Sequence, residues 1–128
     1  MTIELVAVGP LLVLFLLLAV GFGRYATTRQ QVVGAARAAA DAAAVAVSPA
    51  QAQGDAEAAA APVLQAERAC KVPTVRVDIG NFVPGGMVTV AVTCSVSMAD
   101  LLIPGFPGSS DVRAVERAPI DPYRTIHP

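Results

Sequence analysis

The residues whose types could carry chemistry are few: two cysteines, one histidine, a carboxylate ahead of an apolar run, and scattered acidic side chains. Cys70 and Cys94 stand 24 residues apart, not in a C-x-x-C pair, and no His/Cys cluster has zinc spacing. Their expected chemistry is a disulfide formed in an oxidising compartment, with two buried thiols as the alternative. A small exported body is where such a staple stabilises most. His127, the sole histidine, lies one residue from the end of the chain and reads as an exposed tail residue rather than a base. Asp55 and Glu57 fall in an alanine-rich stretch and read as a solvated helix face. Gly21 with Gly23 lies inside an apolar run, not in a phosphate loop. No catalytic centre, metal site or cofactor is expected.

Glu4 is the residue that asks for a reason. It stands at the mouth of nineteen uncharged residues, Leu5 to Gly23, close to the twenty or so that an α-helix needs to cross a hydrocarbon core about 30 Å thick. The run is therefore read as a membrane helix over 1–23. Carboxylates are kept out of lipid at a cost of about 2.5–3.5 kcal/mol on insertion scales for Asp. At the helix N-terminus the macrodipole returns only about 0.3–1 kcal/mol to a carboxylate. Pro10 leaves the carbonyl of Val6 without its helical donor, so a local kink is expected there. Pro10, Leu11, Leu14, Leu18 and Gly21 are the expected helix-packing positions.

The remaining composition limits what the body can be. The chain is 55% hydrophobic but only 5% aromatic, with no Trp, and much of the apolar content is alanine, which buries little area. Its core is expected to be thin. A net charge of −1 leaves no clustered basic face for nucleic acid, and no site for a small-molecule substrate is visible.

Helical character continues past the membrane run. The segment GRYATTRQQVVGAARAAADAAAVAV lacks proline and is rich in helix formers, so one helix is expected from about Leu5 to Val47. Val32, Ala35, Ala36, Ala39, Ala43 and Val47 recur at spacings of three and four as a narrow apolar stripe, with Arg29, Arg37 and Asp41 in a solvent-facing sector. Ser48-Pro49-Ala50-Gln51 reads as a capped start of a second helix, interrupted at Gly54 and near Pro62. Its Ala56, Ala59, Ala60, Val63 and Leu64 can lie back on the first helix. These two pieces form an expected helical stalk over 24–69.

From Val72 the period becomes two. Val75, Val77 and Ile79 alternate with Arg76 and Asp78, a turn-rich GNFVPGG follows, and Val88, Val90, Val92, Cys94, Val96 and Met98 alternate with polar residues. This predicts a β-hairpin that brings Cys70 and Cys94 to one end. The turn-rich IPGFPGSS leads to a third strand over Asp111 to Ala118, whether or not it joins the hairpin. The small β domain is expected over 70–118 and a loose, proline-broken tail over 119–128. The fold class is α+β: a long membrane helix continuing into an Ala-rich helix, a short second helix, then an antiparallel hairpin or three-stranded sheet.

MTIELVAVGPLLVLFLLLAVGFGR, the arginine-bearing Ala-rich helix, the C-x23-C hairpin ending VTVAVTCSVSMADL, and the PGFPGS turn together resemble the TadE-like proteins. These are minor pilins or pseudopilins of the tight-adherence branch of type IV pili, here of the Ala-rich kind seen in high-GC Gram-positive bacteria. The resemblance implies that Glu4 follows the prepilin peptidase cleavage site and pairs with the cationic N-terminal amine of a neighbouring subunit. It implies a structural protein, not an enzyme. Its partners would be the membrane and other pilin subunits or pilus assembly proteins, with the C-terminal body extracellular. Arg24, Arg29 and Arg37 follow the span and nothing basic precedes it, which alone would put the body in the cytoplasm. A disulfide argues the reverse, and basic leader codons upstream of Met1 are expected to reconcile the two. The alternative is a single-pass anchored envelope protein with a small extracellular binding module. A secreted protein cleaved near Ala19-Val20-Gly21 fits less well, because the apolar run is longer than a signal h-region and no basic n-region precedes it.

Overall fold

The computed structural model describes residues 2–66, 70–97 and 108–126. Helix α1 runs Thr2–Ala44, α2 Pro49–Ala66, β1 Cys70–Asp78, β2 Met87–Ser97 and β3 Ser109–Pro119. The strands form one antiparallel sheet in the order β1-β2-β3, and both helices pack on one of its faces. The architecture is the expected α+β arrangement, and the third strand joins the hairpin along the free side of β2.

α1 is a single 43-residue helix, about 65 Å long at 1.5 Å per residue. It ends at Ala44, three residues before the expected boundary, where Ala46 N–H donates to the Ala43 carbonyl. Val47 therefore leaves the apolar stripe and is 44% exposed. The Ser48 hydroxyl accepts from Gln51 N–H at 3.3 Å, the expected cap. Contrary to expectation, α2 runs unbroken through Gly54 and Pro62. An interior glycine costs about 1 kcal/mol relative to alanine without forbidding a helix. Pro62 deprives only the Ala58 carbonyl, whose residue is exposed to water.

The helices touch through alanine. Ala52, Ala56 and Ala60 of α2 are fully buried at four-residue intervals with Leu64 next in the row, facing Val32, Ala35, Ala36, Ala39 and Ala43 of α1. Short side chains let the two axes approach closely. They leave bulk to the sheet, whose helix-facing residues Val88, Val90, Val92, Cys94 and Val96 are all fully buried. The opposite face carries Thr89, Ala91, Thr93, Ser95 and Ser97, so the alternation in sequence becomes the two faces of β2.

β1 lies against α2. Cys70, Pro73 and Thr74 share a cleft with Ala61, Leu64 and Gln65, whereas Val77 meets Gln53. β1 therefore runs opposite to α2 and alongside α1, away from the apolar end of the long helix. Its hairpin connection contains a type II turn, with Gly86 N–H donating to the Val83 carbonyl at 2.8 Å and Gly85 at φ 79°. The backbone of Ile120, just past β3, locks onto this turn: Gly85 N–H donates to it at 3.2 Å and it donates to Gly86 at 2.9 Å. Ile120 is 1% exposed. Met98, the 103–107 part of the turn-rich segment, and His127 lie outside the described residues.

The outer edge of β1 is closed by a side chain. Gln53 on α2 donates from Nε2 to the Val75 carbonyl at 2.8 Å and accepts from Val77 N–H at 3.0 Å. One primary amide thus stands in for a fourth strand. Pro73, two residues earlier on the same edge, has no N–H to offer. Gln53→Ala is expected to lower head stability by about 1–2 kcal/mol, two hydrogen bonds at their usual net worth. Amide exchange at Val77 should speed up accordingly, and unchanged protection there would show that the clamp contributes nothing.

Candidate functional site

Between Thr2 and Phe22 every position of the helix except the buried Gly21 is exposed among the described residues. Ile3 is 84% exposed, Leu11 65%, Leu14 56% and Leu18 46%. The most apolar 18-residue window has a mean hydropathy of 2.8 and is 6% buried. By length and composition this helix can cross a membrane. Exposed leucine, valine and phenylalanine over six turns would be a liability in water and are what a hydrocarbon solvent requires.

The candidate packing residues share one side of it. Leu11, Leu14, Leu18 and Gly21 follow steps of three, four and three, and the same series continues to Thr28, Val32, Ala35, Ala39 and Ala43. From Thr28 onward this face is buried against α2 and the sheet. Below it, the same face is exposed at Leu11, Leu14 and Leu18 and buried at Gly21. Among the described residues one helical stripe is thus covered in its upper half and, below Gly21, exposed in its lower half. Pro10 lies within the helix, in a stretch where a neighbouring helix can supply the donor missing at Val6.

Glu4 sits in the first turn of α1, exposed, and among the described residues no ion pair reaches it. A carboxylate there is aligned with the positive end of the helix dipole and open to a cation from outside the chain.

The cysteines are brought together as a disulfide, Cα atoms 5.4 Å apart. Cys94 is fully buried on the sheet's inner face and Cys70 opens β1 beside an irregularity in the register, where Cys70 faces Val96 and Pro73 faces Cys94. Asp55 and Glu57 are exposed on α2, and Glu57 accepts from Gln53 at 2.6 Å. Among the described residues no cluster of His, Cys, Asp or Glu could hold a metal.

Two contacts of the head had no sequence signal. Gln53 is one of several exposed-looking polar residues in α2, and only the docked strand makes it special. Arg37 reaches Glu116 on the helix-facing side of β3 at 4.0 Å. That pair is 70% and 28% exposed, so it stabilises little.

A family model for TadE-like protein matches residues 1–41, about a third of the 128-residue chain. The match covers all of α1 except its last three residues. No curated protein and no solved structure matches the chain.

Proposed function

We propose that this chain is a structural subunit, a minor pilin or pseudopilin taking part in assembly of a tight-adherence type IV pilus or a related envelope complex. The observation that carries the reading is the half-partnered stripe of α1, all but the last position of which lies within the part of the chain that resembles TadE-like proteins. A helix serving only as a tether needs hydrophobicity; this one also extends a formed packing face into the span. In membranes such faces associate by close van der Waals fit rather than by expulsion of water. Leu11, Leu14, Leu18 and Gly21, with Pro10 one turn below Leu14, would meet the helices of other subunits.

Glu4 would pair with the N-terminal amine of a neighbouring subunit. Burying a carboxylate in lipid or in a helix bundle is tolerable when a cation faces it, and removing one member of such a pair leaves the other strongly destabilised. The body, folded around a disulfide, would stand on the oxidising, extracellular side. Span 1–23, stalk 24–69, β domain 70–118 and tail 119–128 are the units we assign to these tasks.

The test is Glu4→Ala in cells that assemble the fibre. Incorporation into the surface fraction is expected to fall at least ten-fold, while the protein keeps its membrane insertion and its Cys70–Cys94 bond. Wild-type levels of incorporation would remove Glu4 from assembly and, with it, the main functional claim.

A further inference from the structure

We propose that neighbouring copies contact one another side to side through two different flanks of the head, the α1 flank of one seated in the α2–β1 cleft of the next. The inference rests on the reading that several copies stand in one membrane, because it needs their α1 helices to point the same way.

The two flanks lie on opposite sides of the molecule. Sheet order places β1 and β3 at opposite edges. Arg37 reaches toward β3 through Glu116, and Glu57 stands beside β1 through the Gln53 clamp. On the α1 side, Ala26, Arg29, Gln30, Val33, Gly34 and Arg37 line a shallow groove, and the Gly34 backbone faces open space. Their spacing is that of one helix face. On the other side is a cleft of about 660 Å³ whose lining includes Glu57, Ala61, Leu64, Gln65, Pro73 and Val75. Its α2 lining, from Glu57 to Gln65, extends over about two turns of that helix.

Heights match as well. α1 and α2 are antiparallel and joined by a short turn, so position can be counted from that turn at 1.5 Å per residue. Arg37 lies seven residues before Ala44 and Glu57 eight residues after Pro49, about 10 Å and 12 Å below it. Arg29 and Leu64 are each fifteen residues away, about 22 Å below. Copies standing side by side in one membrane therefore place Arg37 opposite Glu57 and Arg29 beside Leu64 and Gln65, without sliding along the membrane normal.

Two symmetric alternatives fail on the same grounds. Joining two α1 flanks sets Arg29 and Arg37 against their own copies. Pairing two β3 edges antiparallel turns one α1 against the other, which a single membrane cannot accommodate. Sheet continuation from β3 to a neighbour's β1 is blocked by Gln53 and Pro73. The contact is therefore heterologous, and repetition gives a row or a ring. Charge pairs in it would set register and partner choice more than affinity.

The full chain, reconstituted at high density in bacterial-lipid vesicles with a benzophenone side chain replacing Gln30, gives the test. Labelled and unlabelled copies are mixed so that peptides joined between copies can be told apart by mass. Crosslinks are expected from α1 into 57–65 or 70–78 of another copy. Arg37→Glu or Glu57→Arg should lower their yield about five-fold, the upper range for an exposed pair, and the double reversal should restore it within about two-fold. An intact disulfide by mass verifies folding, and Arg37→Gln with Glu57→Gln replaces any variant that loses it, each expected to lower the yield about two-fold. No crosslink, crosslinks to α1 of the second copy, or a double reversal that fails to recover would overturn the proposal. Glu4→Ala should leave these crosslinks in place, so loss of fibre incorporation and loss of the lateral contact are separable results.

Discussion

Replacing Cys70 by Ser and Cys94 by Ala is expected to lower the stability of the head by about 3 kcal/mol, the chain-entropy value for a 24-residue loop. Total stabilities of small domains run to roughly 5–15 kcal/mol, and this head begins near the bottom of that range. Its helix–helix contact is alanine on alanine, and its largest fully buried side chains are one isoleucine, several valines and Cys94 itself. Freed of the bond, the first residues of β1 keep a single paired position, Cys70 opposite Val96, before the register irregularity. Urea unfolding of the full chain in micelles, followed at a β-sheet wavelength, measures this directly. Reductant should move the wild-type midpoint to that of the variant. A midpoint that does not move would mean that the sheet is held by its packing alone.

Gly86→Ala should be nearly as damaging, about 2–3 kcal/mol, for a reason unrelated to volume in the core. A methyl group built there would collide with the Asn81 carbonyl oxygen and lie 3.0 Å from that of Val83. Both are backbone atoms, so the loop itself must move, with the strain expected of an overfilled site. Gly86 also donates to Val83 and accepts from Ile120, and a displaced loop weakens both bonds. Gly85→Ala makes the useful comparison: space is available beside it, 3.6 Å from Pro122, but φ is 79°, so it should cost about 1 kcal/mol through backbone conformation. If Gly86→Ala melts no lower than Gly85→Ala, the close approach is not what the loop depends on.

What could be read from the sequence was mostly local. The apolar run, the Ser48 cap, the alternation of β2 and the turn chemistry of Val83-Pro84-Gly85-Gly86 each express preferences over a few residues. Cys70 and Cys94 could be paired because a hairpin brings its two ends together by topology alone. The breaks expected at Gly54 and Pro62 did not occur, because the buried row from Ala52 to Leu64 holds α2 together across both. Tertiary packing outweighed propensity there. Gln53 and Ile120 were invisible for the complementary reason. Each is defined by a partner more than twenty residues away in the chain, and nothing in a short window distinguishes Gln53 from Gln51. The role of the apolar half of α1 lay between these cases. Its hydrophobicity was evident, whereas the continuity of one face from Leu11 to Ala43 gained meaning only once the upper half was seen covered.

The same continuity has a mechanical side. Because α1 passes from span to head as one rod, with no linker between them, tension applied to a surface-exposed head would travel down the helix axis instead of being absorbed by a flexible joint. The strands run alongside that axis, so the pull would try to slide them past one another, loading many hydrogen bonds at once rather than unzipping them singly. Cys70–Cys94 crosses this shear plane between β1 and β2, and the Gln53 amide crosses the next one between β1 and α2. The head is thereby tied across both sides of β1, and single-molecule stretching should register the disulfide as a higher rupture force.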